Sequence, residues 1–409
     1  IQSRLDNTAE YLKDEKKHKK KQDSYESDFT NIAKMEPHVL LEPTQGYQHI
    51  LATYIEGPGT TDNEDDSMRG YAAGTGDTGI RAKVKKGILD VVTKIDEKLG
   101  ENKKIVIDLL TLDLYGFSRG AAGARHFIHE ALFGDSSIKQ QLQDLGYTVG
   151  VVEVCFVGLY DTVSSHGLHL GGDTSHWSTL GFRNDTETLN LHAIMRAKSV
   201  LHLVAADEIR ENFTLTNITS VGKKGREISI PGAHSDVGGS YNHGDPEAHT
   251  LYAGDKVGAI AQYWAQLIAG GWGTEEEIRQ TPTDEGKYVT LTVTRPAISN
   301  HYSKIPLHIM ARAAREMGIV FKDTLDRKEK IPEELLAAQA QITAFIDSED
   351  GKASTLRQTE YWRNNKEPWL STLRAKHLHF SSRDETGLTL RINKAGQCHR
   401  LTYDDGGLS

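Results

Sequence analysis

The feature that most constrains this chain is the pentapeptide GFSRG at residues 116–120, which lies between two differently patterned segments. Residues 104–115 before it form an apolar run typical of a buried parallel strand, and residues 121–132 after it have the apolar spacing of a helix. A G-x-S-x-G turn between strand and helix is the context of a nucleophile elbow. It predicts that Ser118 is a catalytic nucleophile and that the backbone N–H of Arg119 faces a developing oxyanion.

A serine nucleophile needs a base and an orienting acid, which follow it in such folds in the order Asp or Glu, then His. Asp161 comes directly after a buried strand predicted at residues 149–160, where its alternative role is to cap a turn. His234 lies in a glycine-bounded loop after a short strand predicted at residues 227–231. Such loops let a side chain project over the edge of a sheet. We therefore expect Asp161 and His234 to complete a triad with Ser118.

Several other histidines are alternative candidates for the base. His126 falls on the helix after the elbow, where a packing role is expected, and His377 and His379 alternate in a short extended segment near the end of the chain. The remaining candidates are His166, His169, His176 and His243.

Two further patterns are candidate ligand sites. Residues 74–79 spell G-x-G-x-x-G, but an acidic turn precedes them instead of a strand, which favours a glycine loop at the mouth of the site over a dinucleotide site. Nitrogen and oxygen donors of the kind that bind metals are concentrated later in the chain. They are His166, His169, Asp173, His176, His243 and Asp245. Because the chain has 18 histidines, chance explains this cluster as well. We expect neither metal nor cofactor.

Repeats of strand, glycine turn and helix predict an α/β-hydrolase-like, doubly wound, mostly parallel sheet with helices on both faces and helical insertions. The predicted strands beyond those named above are 48–56, 288–293 and a terminal hairpin of 388–392 and 399–403. The predicted helices are 80–99, most of 189–213, 253–269, 305–317 and 332–345.

This pattern predicts a catalytic domain over residues 1–320, whose first 45 residues form a charged helical arm. Residues 321–409 are expected to form a C-terminal helical and hairpin segment. It is a candidate lid or membrane-docking appendage through helix 332–345 and the aromatic residues Tyr361, Trp362 and Trp369. Core packing is the alternative role for these groups.

Charge and composition exclude several classes of protein. Lys and Arg number 48 against 57 for Asp and Glu, so the net charge of −9 argues against a nucleic-acid partner. The basic run at residues 16–21 is expected to be solvated, with contact to anionic lipid as the alternative. Two cysteines are too few for a disulfide framework. The sequence also shows neither a transmembrane stretch nor a secretory signal.

Three motifs in one order resemble a known family. They are GFSRGAA at 116–122, FVGLYDTV at 156–163 and PGAHSDVGG at 231–239. Together they resemble the type VI secretion lipase effectors, bacterial α/β-hydrolase phospholipases, over residues 45–320. The resemblance implies the same triad, one residue from each motif: Ser118, Asp161 and His234.

The resemblance also implies a biological role. Members are antibacterial phospholipases A that are made in the cytoplasm, injected by the type VI system and active at the membrane of a rival cell. The implied partners are membrane phospholipids, a cognate immunity protein and a spike or adaptor protein of the secretion system. The family's usual Asp-Gly-Thr strand has no match here, so its second oxyanion donor stays unassigned. A soluble esterase or lipase with the same triad, acting on other esters, is the alternative.

Overall fold

The computed structural model of the chain describes residues 28–44, 46–57, 79–100, 103–164, 186–393 and 395–406. Its strands are β1 (Val106–Phe117), β2 (Thr148–Tyr160), β3 (Ser199–Ala205), β4 (Leu215–Thr216), β5 (Gly225–Ile230), β6 (Pro246–Gly254), β7 (Ile278–Thr283), β8 (Tyr288–Ala297) and β9 (Thr402–Tyr403). Its helices are α1 (Asn31–Met35), α2 (Ile80–Leu99), α3 (Arg119–Phe133), α4 (Ile138–Asp144), α5 (His234–Gly238), α6 (Val257–Ala269), α7 (Lys304–Glu316), α8 (Thr324–Lys328), α9 (Glu333–Asp347), α10 (Thr355–Asn364) and α11 (Pro368–His377).

The central sheet has four strands in the order β1, β2, β3, β5, and every neighbouring pair is parallel. The carboxyl ends of parallel strands meet at one edge of a sheet, where open α/β folds place their ligands. β1, β2, β3 and β5 therefore deliver the residues that follow Phe117, Tyr160, Ala205 and Ile230 to a common edge.

Helices cover both faces of this sheet, because the side chains of each strand alternate between two apolar cores. Val157 and Leu159 of β2 belong to the core that includes α2, α3 and α4. Phe156 and Tyr160 of the same strand belong to the core that includes α7, α9 and α11. The predicted α/β-hydrolase-like fold class is confirmed, including the helices on both faces.

A second sheet is antiparallel, in the order β6, β8, β7, and it extends the larger core. A buried ion pair between Arg295 of β8 and Glu247 of β6 ties its two longest strands together. Arg295 also donates to the carbonyl of Leu378 at 2.7 Å, and Glu247 accepts from the N–H of Phe380 at 2.9 Å. The segment after α11 is thereby fixed to this sheet.

The residues after 320 pack against the parallel sheet. Trp362 of α10 is buried and donates to the carbonyl of Ser229 in β5 at 2.8 Å, while its neighbour Tyr361 is 39% exposed. The short strand β9 pairs in parallel with β4. A boundary at residue 320, and a lid or membrane-docking role for the residues beyond it, stay predictions.

The prediction of a strand at residues 48–56 is wrong. The described part of this segment has no ladder partner and lies along α2 instead. Lys94 donates to the carbonyl of Ala52 at 2.6 Å, and the side chain of Ile55 fills the space over Gly87. Alternating apolar residues favour an extended chain, but whether a sheet or a helix receives its apolar face is decided by tertiary packing.

The prediction that residues 189–213 are mainly helical is also wrong. The segment contains a 3₁₀ helix at Leu191–Arg196 and then β3, which lies between β2 and β5. Apolar residues on both faces of a central strand imitate the apolar density of a buried helix, so periodicity alone does not separate them.

The predicted terminal hairpin is not formed as such. Ile392 and Cys398 make one isolated antiparallel bridge, whereas Thr402–Tyr403 pairs with β4. The strand β6 was not predicted. The first 27 residues of the predicted arm, which include the basic run, lie outside the described residues, as do the glycine motif up to residue 78 and the histidine cluster at 166–176.

Candidate active site

Ser118 occupies the junction between β1 and α3 in a conformation rare for a residue with a side chain. Its φ is 59° and its ψ is −128°, and such backbone strain is concentrated at functional sites. The turn is held by two hydrogen bonds, from the N–H of Ser118 to the carbonyl of Tyr160 at 3.0 Å and from the N–H of Ala121 to the carbonyl of Ser118 at 3.0 Å. The strand–turn–helix expected of a nucleophile elbow is thus present.

The first glycine of the pentapeptide is required by a close approach of the backbone. A Cβ on Gly116 would collide with the carbonyl oxygen of Gly120 and with the backbone of Ala121. Nothing lies within 4 Å of a Cβ built on Gly120 itself. The two glycines therefore contribute differently, since Gly116 permits the tight packing of α3 on β1 and Gly120 faces open space.

Arg119 is the first residue of α3, with Ser118 as the N-cap. The first N–H groups of a helix have no partner within the helix, and the helix dipole is positive at this end. The positive end of α3 therefore lies beside Ser118, and the role of the Arg119 N–H as an oxyanion donor stays a prediction.

Asp161 lies directly beyond β2 and is completely buried. Its carboxylate accepts four hydrogen bonds, from His234 Nδ1 at 2.5 Å, from the N–H of Ala205 at 3.0 Å, and from Arg400 Nη1 and Nη2 at 2.6 and 2.9 Å. Burial acts to raise the pKa of Asp161, but the charge of Arg400 and the hydrogen bond from His234 outweigh it and hold the pKa well below its usual range. Asp161 is therefore ionised at neutral pH.

His234 is the first residue of α5, and the glycine-rich turn after β5 delivers it to the same edge of the sheet. Its ring lies between two aromatic rings, Phe117 at 4.5 Å and Phe213 at 4.9 Å between centroids. Burial lowers the pKa of His234, although the hydrogen bond to Asp161 opposes this effect. Since Nδ1 bonds a carboxylate, it carries the proton of the neutral ring, and Nε2 is the basic nitrogen.

A second buried ion pair supports this histidine. Glu208 pairs with Arg210 at 2.8 Å and also accepts from the backbone N–H of His234 at 3.3 Å and from the hydroxyl of Ser381 at 3.1 Å. The guanidinium of Arg210 lies 3.2 Å from the centre of the Phe213 ring. Burial alone would raise the pKa of Glu208, but Arg210 outweighs it and the pKa falls to about 2.

The competing histidines within the described residues have other surroundings. His379 Nδ1 pairs with Asp236 at 2.7 Å, so this nearby carboxylate binds His379 and not His234. His126 Nδ1 bonds the carbonyl of Leu189 at 2.9 Å beneath α3. The ring of His243 stacks on that of His301, with 4.2 Å between the ring centroids. His377 ends α11, where burial lowers its pKa to about 4.

The described residues offer neither a metal site nor a cavity that can be connected with the triad candidates. Among the described residues no group of three His, Cys, Asp or Glu side chains is arranged to hold a metal ion, and residues 166–176 lie outside that part. A cavity of about 460 Å³ beside α10 and another of about 90 Å³ next to β3 are not lined by the three triad candidates. Neither cavity is therefore assigned to an acyl chain. None of the described helices has the length and apolar character needed to cross a bilayer.

Sequence reasoning missed Arg400, which contacts Asp161 across 239 positions of the chain. No local pattern marks it, since HRLTY at 399–403 reads as an ordinary edge strand. Glu208 was also missed, because the segment that forms β3 was predicted to be helical and its position after a strand was therefore not recognised.

Comparisons with known proteins support this architecture. Residues 135–264, which include Asp161 and His234 and follow Ser118, match the family model for the catalytic domain of Tle1-like phospholipase effectors of type VI secretion. This match confirms the expected resemblance to type VI secretion lipase effectors. The comparison with curated proteins gives no match.

One solved structure agrees with the fold. A Tle1 effector, solved bound to the VgrG spike of the type VI secretion system, superposes with a TM-score of 0.62 at 22% identity, covering 92% of this chain and 83% of that one. An uncharacterized protein from Pseudomonas aeruginosa gives a TM-score of 0.33 at 20% identity, covering 71% of this chain and 35% of that one.

Proposed function

We propose that the chain is a phospholipase A that hydrolyses acyl ester bonds of membrane glycerophospholipids with Ser118, His234 and Asp161 as its triad. The observation that carries this proposal is the hydrogen bond of 2.5 Å between His234 Nδ1 and Asp161, formed at the edge of the sheet where Ser118 holds its strained turn. The family match of residues 135–264 supports the proposed substrate class.

In this mechanism His234 Nε2 takes the proton of Ser118 as its hydroxyl oxygen attacks the ester carbonyl. Asp161 stabilises the resulting imidazolium, which then returns the proton to the leaving alcohol. The N–H of Arg119, at the positive end of α3, stabilises the oxyanion, and losing one such donor typically costs about 10²–10³ in rate. Water then takes the place of the alcohol: His234 Nε2 accepts its proton as it attacks the acyl-enzyme, and the imidazolium returns that proton to the oxygen of Ser118 as the fatty acid leaves.

The biological setting that we propose is attack on a rival bacterium. The effector solved with VgrG suggests that a spike protein of this kind carries the chain out of the producing cell, to act on the membrane of the target from the periplasm. An enzyme of this kind requires a cognate immunity protein in the producing cell. Co-purification of the chain with the spike protein of its own system tests the first partner.

The test of the function compares wild type with Ser118→Ala on vesicles of phosphatidylethanolamine and phosphatidylglycerol, with products identified by mass spectrometry. We expect free fatty acid and lysolipid from wild type only, and the identity of the lysolipid gives the cleaved position. Wild type that spares both lipids but cleaves a short-chain ester would keep the triad and identify a soluble esterase instead. Full activity in Ser118→Ala would refute the triad.

A further inference from the structure

Arg400 makes a two-point ion pair with the buried carboxylate of the proposed triad. Its Nη1 and Nη2 atoms reach Asp161 Oδ1 and Oδ2 at 2.6 and 2.9 Å, while His234 Nδ1 bonds Oδ2. The side chain of Arg400 is 7% exposed and that of Asp161 is fully buried. A guanidinium fork matches the plane of a carboxylate, so this contact fixes both the position and the orientation of Asp161.

We propose that Arg400 is a positioning residue of the active site, which locks Asp161 in the orientation that faces His234 and compensates its buried charge. This inference rests on the proposed serine-hydrolase function. His234 must be neutral to accept the serine proton, and at that stage Asp161 has no charged histidine as a partner. An unpaired buried carboxylate is strongly unfavourable, and Arg400 removes that penalty without reacting itself.

The C-terminal strand places Arg400 at this point. β9 pairs with β4, and the N–H of Leu215 donates to the carbonyl of Leu401 at 3.0 Å. Arg400 Nε donates to the carbonyl of Phe213 at 2.7 Å, and the ring of Phe213 contacts His234. The same arginine thus links the acid to the residue that packs on the base, so the segment that leads into β9 completes the site.

The charge of Arg400 also affects the proton on His234. The charged groups that face this ring are Asp161, Glu208 and Arg210, with Arg400 behind Asp161. Deprotonating His234 leaves the carboxylate as a net buried negative charge, which Arg400 makes more acceptable. Removing Arg400 therefore makes His234 harder to deprotonate.

The experiment measures kcat and kcat/KM from pH 5 to 9 on a water-soluble short-chain ester for wild type, Arg400→Gln and Arg400→Lys. For Arg400→Gln we expect kcat to fall between about tenfold and about a hundredfold, and the acid limb of kcat/KM to move up by about one pH unit. Arg400→Lys keeps the charge but loses the fork, so its acid limb should stay near that of wild type while kcat recovers only in part.

Asp405→Asn is the matched control. It breaks another buried ion pair of the C-terminal segment, Arg125 to Asp405 at 2.7 Å, which does not contact the triad. We expect its melting temperature to fall while the pH profile stays unchanged. A purely structural role for Arg400 would give the same result in Arg400→Gln, and that outcome would overturn the proposal.

Two measurements keep the inference separate from the proposed function. Labelling of wild type by a fluorophosphonate at Ser118 tests the hydrolase by itself, and its absence would remove the function and this inference together. NMR titration of His234 in wild type and Arg400→Gln needs no activity, and an unchanged midpoint would overturn the inference alone. If Arg400→Gln does not fold, Arg400→Lys serves as the test. A wild-type kcat in Arg400→Lys would show that the two-point contact of the guanidinium is not needed and would overturn the proposal.

Discussion

At the scale of single residues, the site depends on how charge is distributed around one carboxylate. Asp161 accepts hydrogen bonds from a histidine, an arginine and a backbone N–H. Asp236, which lies two residues after His234, binds His379 and the N–H of Ala233 instead. The two acids belong to different motifs and have different partners. Their environments therefore indicate different roles. Asp161 belongs to the proposed triad, and Asp236 stabilises the histidine loop, residues 231–239, around His234.

Asp161→Asn tests that assignment. An amide cannot accept both Arg400 and the proton of His234 Nδ1 as a carboxylate does, so we expect the histidine to lose its orientation and kcat to fall by about 10⁴-fold. Ester hydrolysis under saturating substrate measures the loss. The same assay on Asp236→Asn should show a much smaller decrease, and the reverse ranking of the two variants would transfer the role of the acid to Asp236.

At the scale of elements, the elbow is a contact between a strand and a helix. β1 and α3 approach so closely at Gly116 that no side chain fits, and Ser118 takes up the strain of the turn. On the other side of Phe117, a Cβ at Gly238 of α5 would run into the phenyl ring. Small residues in neighbouring elements therefore let the elbow and the histidine loop meet.

Gly116→Ala and Gly120→Ala form a matched pair that tests this geometry. In Gly116→Ala the new methyl group meets backbone atoms, so α3 has to move and we expect activity to fall at least about a hundredfold. In Gly120→Ala it enters open space within a helix, where alanine is favoured over glycine by up to about 1 kcal/mol. Melting temperature and ester hydrolysis measure both effects, and equal losses in the two variants would contradict this account of the elbow.

At the scale of the whole molecule, the C-terminal segment and the parallel sheet form one packed body. Residues on both sides of position 320 share the larger apolar core, and two buried ion pairs join the last strand region to earlier elements. One pair ends on the proposed catalytic acid and the other on α3, the helix that begins after Ser118. Truncation of the tail would therefore remove the ion-pair partners Arg400 and Asp405 from the buried groups Asp161 and Arg125.

Buried titratable groups make the stability of the whole molecule depend on pH. Burial lowers the pKa of His377 to about 4 from the usual 6.5, so the unfolded state binds its proton more readily, and the stability gained above pH 6.5 is lost as the pH falls toward 4. Burial also lowers the pKa of other histidines, namely His38, His126, His234, His249, His301 and His399. Asp113 opposes this trend, because burial raises its pKa to about 6.

We therefore expect the urea midpoint of unfolding to fall between pH 7 and pH 4. It should fall further below pH 4.5, because the pKa of Glu208 is lowered to about 2 in the folded state, so the unfolded state takes up a proton on this carboxyl while the folded state keeps it ionised. His377→Gln removes one of these groups, and its midpoint should depend less on pH between 6.5 and 4. A midpoint that rises on acidification would show that the raised pKa of Asp113 outweighs the histidines.

The sequence by itself determined the elements whose signal is local. The elbow at Ser118, the strand before it, the helix after it and the long helix α2 are encoded by glycine placement and apolar period, which neighbouring residues fix. The positions of Asp161 and His234 directly after strands follow from the same patterns, because parallel strands bring their carboxyl ends to one edge. The α/β class therefore follows from local patterns of the amino-acid sequence.

Only the tertiary structure decided which partners these residues have. The pairing of Asp161 with Arg400 joins groups 239 positions apart, and that of Arg125 with Asp405 joins groups 280 apart. Likewise, the sequence pattern predicted helix for β3 and a strand for residues 48–56. An apolar run shows that a segment is buried, but it does not show which element packs against it. Ion pairing and burial depend on which residues become neighbours in the folded protein, and the spacing of residues along the chain does not determine this.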